Sequence, residues 1–290
     1  MTLKSRWSNS PYRVESVQRI LCVGTIIFMK RIILTGASGG MGKETLKYLA
    51  NEGYFIYALD IKEIEEMDNI KSFKVDLTKM DEIEAVYEKI KDEGAIDAII
   101  HLSGAYKLDS FIEISEEALL KIFNINFFAI YRVNKVFLPL LHKGSRIIIT
   151  SSEVAPLDPL PYNGIYSVSK TTVEKYAESL RHELNLLDIK VIIMRPGAVD
   201  TGMLPQSLND VKALQEKTTL YKESSKKFMK IVASNESKTI KPIKIAQLVN
   251  KILKAKKPKL VYSINLNPKL KMLSILPKRM QLFIIKSLIK

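Results

Sequence analysis

The 290-residue chain has one cysteine, Cys22, with three histidines and one tryptophan. A single thiol cannot form an internal disulfide, and without clustered Cys/His spacing a structural zinc site has no ligand set. So little cysteine points to a reducing, cytoplasmic compartment. Long apolar runs are missing as well: no uninterrupted stretch reaches the roughly twenty residues of a membrane-spanning helix. Residues 241–290 lack Asp and Glu altogether while holding twelve Lys and one Arg, which locates most of the net charge of +14. Residues 1–30 add five basic side chains against Glu15, so the stretch 31–240 is slightly acidic. An acidic centre between basic ends argues against nucleic acid as a partner.

What is present is an alternation of short β-branched runs with helical periodicity. Arg31–Thr35 reads as a strand and Gly40–Asn51 as a helix with Leu46, Leu49 and Ala50 as its apolar positions. Strands follow at 54–60 and 70–75. A helix over 81–91 places Ile83, Val86, Tyr87 and Ile90 on one face. The run 95–102 is almost continuously apolar, as in a strand buried on both sides. A long helix within 115–141, a strand at 146–151, a helix over 166–187 and a strand at 190–195 continue the series. The fold class is therefore α/β, a Rossmann-type doubly wound parallel sheet flanked by helices. The crossover between the second and third strands is too short for a full helix.

Met29-Lys30 stands just before the first strand and reads as a natural start. Residues 1–29 are then an upstream extension or a disordered arm. A signal peptide fits poorly, because the apolar stretch runs into the first strand without a small-residue cleavage site. The catalytic domain is expected over 30–262 and a basic amphipathic tail over 263–290.

Thr35-Gly36-Ala37-Ser38-Gly39-Gly40-Met41-Gly42 joins the first strand to the first helix. A glycine turn at a helix N-terminus lets backbone N–H groups approach a pyrophosphate, so Gly36, Ser38, Gly39, Gly40, Met41 and Gly42 are candidate cofactor contacts. Asp60 ends the second strand, twenty-four residues after Gly36. A carboxylate there can accept from adenosine ribose hydroxyls and would repel a 2′-phosphate. NAD is expected over NADP, with Lys62 the residue that argues the other way. Tyr166-Ser-Val-Ser-Lys170 puts a phenol and an ammonium on one helical face. A nearby cation favours phenolate and suits the tyrosine to acid–base work.

These motifs together resemble the short-chain dehydrogenase/reductase family in its short single-domain branch, over about residues 30–262. The glycine pattern matches at Thr35, Gly36, Gly40 and Gly42. Val75-Asp76-Leu77 is similar to the adenine-contacting segment, which implies cofactor contacts for Asp76 and Leu77. Asn126 falls where the family has a helix-interrupting asparagine that supports a proton-relay water. Thr150-Ser151-Ser152 resembles the strand end that presents the active-site serine, here Ser152, with Ser151 and Glu153 as contenders. Arg195-Pro196-Gly197-Ala-Val199-Asp-Thr201 is similar to the segment that holds the nicotinamide, implying Pro196, Gly197, Val199 and Thr201. The resemblance implies catalytic roles for Asn126, Ser152, Tyr166 and Lys170, with the lysine also binding the nicotinamide ribose.

Three departures stand out. His101-Leu102-Ser103-Gly104 replaces the family's Asn-Asn-Ala-Gly; Ser103 and Gly104 carry over as cofactor contacts, and His101 reads as a satisfied strand histidine. Ser152 lies fourteen residues before Tyr166, one more than the commonest spacing. Gly36, Gly39 and Gly42 also meet the pattern of the nucleotide-sugar epimerase branch, but the sugar-binding C-terminal domain of that branch is missing.

Residues 202–238 would form a lid, and Tyr106, Ser152, Val154, Tyr162 and Met203 are candidate substrate residues. Apart from Ser152 they are mostly apolar and uncharged, which favours a lipophilic alcohol or ketone. A sugar-like substrate, for a dehydrogenase or an epimerase, and a non-catalytic nucleotide sensor are the competing classes; the intact Ser/Tyr/Lys/Asn set argues against the sensor. The tail interleaves Leu270, Met272, Leu273, Ile275 and Leu276 with lysines, breaks at Pro277, and resumes with Met280, Leu282, Phe283, Ile284, Ile285, Leu288 and Ile289. It reads either as a peripheral contact with an anionic membrane or as a helix packed on the domain. By the same resemblance, the helices near 115–141 and 165–187 would pair two copies into a homodimer or homotetramer.

Overall fold

Isoleucine and leucine saturate the central strands because both faces of the sheet are covered. In the computed structural model, seven parallel strands lie in the order β3-β2-β1-β4-β5-β6-β7. They are β1 (Arg31–Thr35), β2 (Phe55–Asp60), β3 (Ile70–Lys74), β4 (Ile96–His101), β5 (Leu141–Thr150), β6 (Lys190–Pro196) and β7 (Val261–Ile264). The structure describes residues 29–65, 67–201, 203–234 and 239–290, with the backbone of 21–22 and 25–26. The remainder of the expected N-terminal extension lies outside the described residues.

Alternation along each strand decides which helix it meets. Ile32, Leu34, Ile56, Ala58 and Ile100 face one way, onto Leu46 and Leu49 of α1 (Gly40–Asn51) and Ile245, Val249 and Ile252 of α8 (Ile243–Lys254). Ile33, Tyr57, Leu59 and Ile99 face the other, onto α2 (Met80–Ile90) and α4 (Ala129–Phe137). Ile147, Ile149 and Ile193 pack on Val173 and Ala177 of α5 (Gly164–Asn185). Ile32, Ile33 and Leu34 are fully buried; each such side chain contributes about 1.5–3 kcal/mol.

Four local features depart from the sequence reading or refine it. The long helix expected over 115–141 is α3 (Glu116–Phe123), a π turn (Asn124–Phe128), then α4. Strand β5 starts five residues earlier than expected, at Leu141, and its register with β4 shifts between Ile96 and Ala98. The lid holds two helices, α6 (Met203–Lys217) and α7 (Lys222–Ser234). The tail is α9 (Pro268–Ile275) and α10 (Lys278–Ile289), separated by extended Pro277. The short crossover between β2 and β3 carries no helix among its described residues.

Candidate active site

The C-terminal ends of β1, β4, β5 and β6 meet at one cleft. Its walls include Met41, Ser103, Gly104, Ser152, Tyr166, Lys170, Pro196, Gly197 and Val199. Residues predicted from five separate stretches of sequence thus converge.

The glycine turn is shaped by close approach. Gly36 has φ +71°, and a Cβ there would lie 2.5 Å from the Ser103 amide nitrogen. A Cβ on Gly42 would lie 1.9 Å from the Gly36 carbonyl oxygen. Any side chain at either position would push the first turn of α1 out of place. No side chain caps α1, and no acid stands in its first turn, so its N-terminal backbone remains a place for an anionic group. Thr201 packs against Gly40, with its Cβ 2.9 Å from where a Cβ on that glycine would stand. The Thr35 and Ser103 hydroxyls lie 3.1 Å apart, within hydrogen-bonding distance. Asp60 is buried, and its carboxylate accepts from Ser38 N–H at 2.9 Å and Lys62 N–H at 3.0 Å. A glycine cradle that any Cβ would fill, with a carboxylate at its edge, fits a dinucleotide.

Asp76 accepts from the Thr78 hydroxyl and backbone N–H at 2.7 and 2.9 Å. Burial works to raise its pKa, yet these Thr78 contacts prevail and hold it below the usual value. Leu77 beside it is buried against the β2–α2 face.

Tyr166 and Lys170 project from the first turns of α5, both buried. Lys170 Nζ donates to the Thr150 carbonyl at 3.1 Å and lies 5.9 Å from the Tyr166 ring centroid. Burial lowers its pKa to about 8. Tyr166 is pushed up, chiefly by burial; a hydrogen bond with Ser152 opposes this, and the Glu153 charge adds to it. Both Ser151 and Ser152 line the cleft, and Ser151 Oγ donates to the Lys170 carbonyl at 3.5 Å. In the protein alone, desolvation thus outweighs the downward pull expected from the lysine. Tyr106 meets Tyr166 edge to face, centroids 4.6 Å apart.

Asn126 sits in the π turn, fully buried. Its Oδ1 accepts the Ala105 N–H at 2.7 Å, while Nδ2 donates to the Ala105 carbonyl and the Ser169 hydroxyl at 3.0 Å each. A π turn is a frequent mark of a functional position in a helix. His101 is buried, 2.8 Å from Asn134 Oδ1, and burial lowers its pKa to about 4, so it stays neutral.

Of the expected substrate residues, Tyr106 stands over the tyrosine, and Val154 donates its N–H to Ser152 Oγ at 3.4 Å. Tyr162, with φ +63°, packs its ring on Tyr221 and Phe228 and sets its hydroxyl 2.7 Å from Ser224 Oγ, so it also fastens the lid. The Met203 side chain lies outside the described residues.

Sequence reasoning missed the groups that hold the site in place. Arg195 grips Glu174, joining β6 to α5. The signal was there: Glu174 continues the Tyr166/Lys170 face by one more turn, and a buried acid needs a cation. Thr171 donates to the Ala155 carbonyl at 2.7 Å, tying α5 to the serine loop. Lys107–Asp210 and Lys217–Asp109 pin α6 to the loop after β4 at 3.0 and 2.7 Å.

A family model described as short chain dehydrogenase matches residues 30–212. A 3-ketodihydrosphingosine reductase of Bacteroides thetaiotaomicron is 31% identical over 234 residues, 78% of this chain and 84% of that protein. An NADPH-dependent 1-acyldihydroxyacetone phosphate reductase of Saccharomyces cerevisiae is 28% identical over 60% of this chain and 62% of its own length. Among solved structures, a short chain dehydrogenase family protein of Francisella tularensis matches with TM-score 0.68 at 24% identity, covering 81% of this chain and 97% of the other. That last likeness shows the fold; the family match shows more. With the cofactor cradle and the Ser/Tyr/Lys cluster at one cleft, the chain belongs to the short-chain dehydrogenase/reductase family, oxidoreductases that act on CH–OH and carbonyl groups with NAD(P).

Proposed function

We propose that this enzyme interconverts a lipophilic ketone and its secondary alcohol, or an aldehyde and its primary alcohol, with NAD(H). The observation that carries the reading is the convergence of Ser152, Tyr166 and Lys170 on one cleft with Met41 of the glycine turn, a turn whose Ser38 N–H is held by the Asp60 carboxylate. In reduction, Ser152 donates to the carbonyl oxygen and Tyr166 delivers the proton that makes it a hydroxyl. Lys170 supplies positive charge beneath the phenol, and Asn126 braces the β4 loop against α5. Bound NAD(H) would supply or take up the hydride at the substrate carbon. Gly36–Gly42, Asp60, Asp76, Leu77, Ser103, Gly104 and the segment from Pro196 to Thr201 would hold it. The Asp60 charge supports NAD over NADP, and an apolar cluster of Leu108 with the lid residues Val211, Leu214 and Phe228 supports a lipophilic substrate over a sugar. Reductases among the relatives support the reductive direction. The test is purified enzyme with NADH or NADPH against fatty, steroid and sugar carbonyl compounds. Turnover of sugars alone would overturn the substrate class.

Two exposed surfaces suit two partners. On α10, Gln281, Ile285 and Ile289 face the lid, while Leu282, Phe283 and Leu288 stay exposed beside Arg279, Lys286 and Lys290. Apolar side chains set among cations suit the surface of an anionic membrane. No helix among the described residues is long and apolar enough to cross one. On α3, the π turn, α4 and α5, Leu120, Phe128, Tyr131 and Val168 are exposed, a face suited to a second copy of the chain.

A further inference from the structure

Three buried side-chain polar atoms among the described residues have no hydrogen-bond partner: Thr150 Oγ1, Asn163 Oδ1 and Ser167 Oγ. Of these residues only Thr150 lines the catalytic cleft. It is the last residue of β5 and is 4% exposed. Its carbonyl accepts from Lys170 Nζ, so its main chain serves the acid–base side of the site. Its side chain turns the other way. Ile147 and Ile149 pack toward α5, whereas Ile148 packs toward α1 and α8; alternation along the strand puts the Thr150 side chain on the Ile148 side. Leu102, Met194 and Val199 belong to the same apolar cluster as Ile148, and Met41 of the glycine turn walls the cleft there. An unpaired hydroxyl in such surroundings costs free energy, which a valine of nearly the same shape would not incur. The hydroxyl suits a partner that arrives with a ligand.

We infer that Thr150 Oγ1 is a hydrogen-bonding contact for the carboxamide of a bound nicotinamide. The cleft wall on this side includes Val199, from the segment proposed above to hold the nicotinamide, while the substrate oxygen belongs to Ser152 and Tyr166. Within the nicotinamide group only the carboxamide offers a conventional donor and acceptor. A threonine hydroxyl can give a proton to its oxygen or accept one from its nitrogen. Holding the carboxamide limits rotation of the ring, so Thr150 is a positioning residue with no part in proton transfer. This rests on the cofactor reading above and deepens it.

The experiment compares wild-type enzyme with T150V and T150S by calorimetric titration with NADH and with ADP-ribose, which lacks the nicotinamide. NADPH and 2′-phospho-ADP-ribose replace that pair if wild-type enzyme binds NADPH more tightly. Thermal unfolding without ligand is the control on the fold. T150V is expected to unfold no lower than wild type, because it removes an unpaired buried hydroxyl. Its dinucleotide affinity should fall about three- to tenfold, the worth of one net hydrogen bond, and T150S should keep most of the affinity. ADP-ribose should bind all three proteins alike. Unchanged dinucleotide affinity in T150V, or an equal loss for dinucleotide and ADP-ribose, overturns the carboxamide contact and leaves the cofactor reading standing. A lower unfolding temperature for unliganded T150V assigns the hydroxyl a partner within the protein and overturns the contact too. Wild-type enzyme that binds neither dinucleotide overturns both.

Discussion

Arg195 and Glu174 face each other across the β6–α5 interface in two parallel hydrogen bonds, Nε to Oε1 at 2.7 Å and Nη2 to Oε2 at 2.6 Å. Glu174 is buried and Arg195 is partly exposed. The pair sets the height of the helix that carries Tyr166 and Lys170 over the strand that leads to Pro196. R195M would leave a buried carboxylate without its cation, destabilising the fold by about 3–5 kcal/mol. The double variant E174M/R195M should recover most of that loss. Urea unfolding of the four proteins checks it; equal destabilisation of the single and double variants would refute the pairing argument.

Removing the Tyr166 hydroxyl takes away the proposed proton donor but not the ring that packs on Tyr106. Y166F is expected to lose roughly two to four orders of magnitude in kcat, with dinucleotide binding retained. Nicotinamide fluorescence titration alongside turnover separates the two. Retained turnover would move the acid–base role elsewhere.

Burial brings Lys170 to about 8, so its charge is complete well below that pH and is lost as pH rises through it. If the ammonium assists proton delivery from Tyr166, kcat/KM for carbonyl reduction should fall above about pH 8 along a single-proton limb. An arginine stays charged over this range, so whatever activity K170R keeps should lack the limb. A limb unchanged in K170R would assign it to another group.

In the proposed reading, Asp60 is the residue that weighs NAD against NADP. Wild-type enzyme should favour NADH, and D60N, which keeps acceptor capacity but drops the charge, should narrow the preference by about tenfold, near 1.4 kcal/mol. The measurement is kcat/KM for each cofactor with one carbonyl substrate. A wild-type preference for NADPH would reverse the assignment and turn attention to Lys62.

The tail prediction uses exposed positions, so the fold is spared. Wild-type protein should sediment with phosphatidylglycerol vesicles and release as salt rises; L282E/F283E should stay in solution. Binding that is indifferent to the two glutamates would assign those apolar side chains to another partner.

Periodicity was sufficient for β1, α1 and the sheet as a whole, because alternating burial on a covered sheet writes itself into the residues. It could not show the π turn. The apolar spacing of 115–141 runs through it unbroken, and the interruption exists to aim Asn126 at Ala105. Four-residue β7 left no pattern to read. The positive φ of Tyr162 and its lid partners Ser224 and Phe228 are matters of tertiary packing that no local pattern records.

Val199 pairs with Ile240 in a single bridge, flanked by hydrogen bonds from Asp200 N–H to the Ile240 carbonyl at 2.8 Å and from Ile240 N–H to the Ala198 carbonyl at 3.1 Å. The described lid helices between these points are tied to the domain elsewhere as well, by Lys107–Asp210, Lys217–Asp109 and Tyr162–Ser224. Such a segment behaves as a cassette: its length and lining can drift while the seam beneath it, and the nucleotide half it borders, keep their shape. Substrate choice can then diversify by exchange of this one insert, leaving the chemistry at Tyr166 untouched.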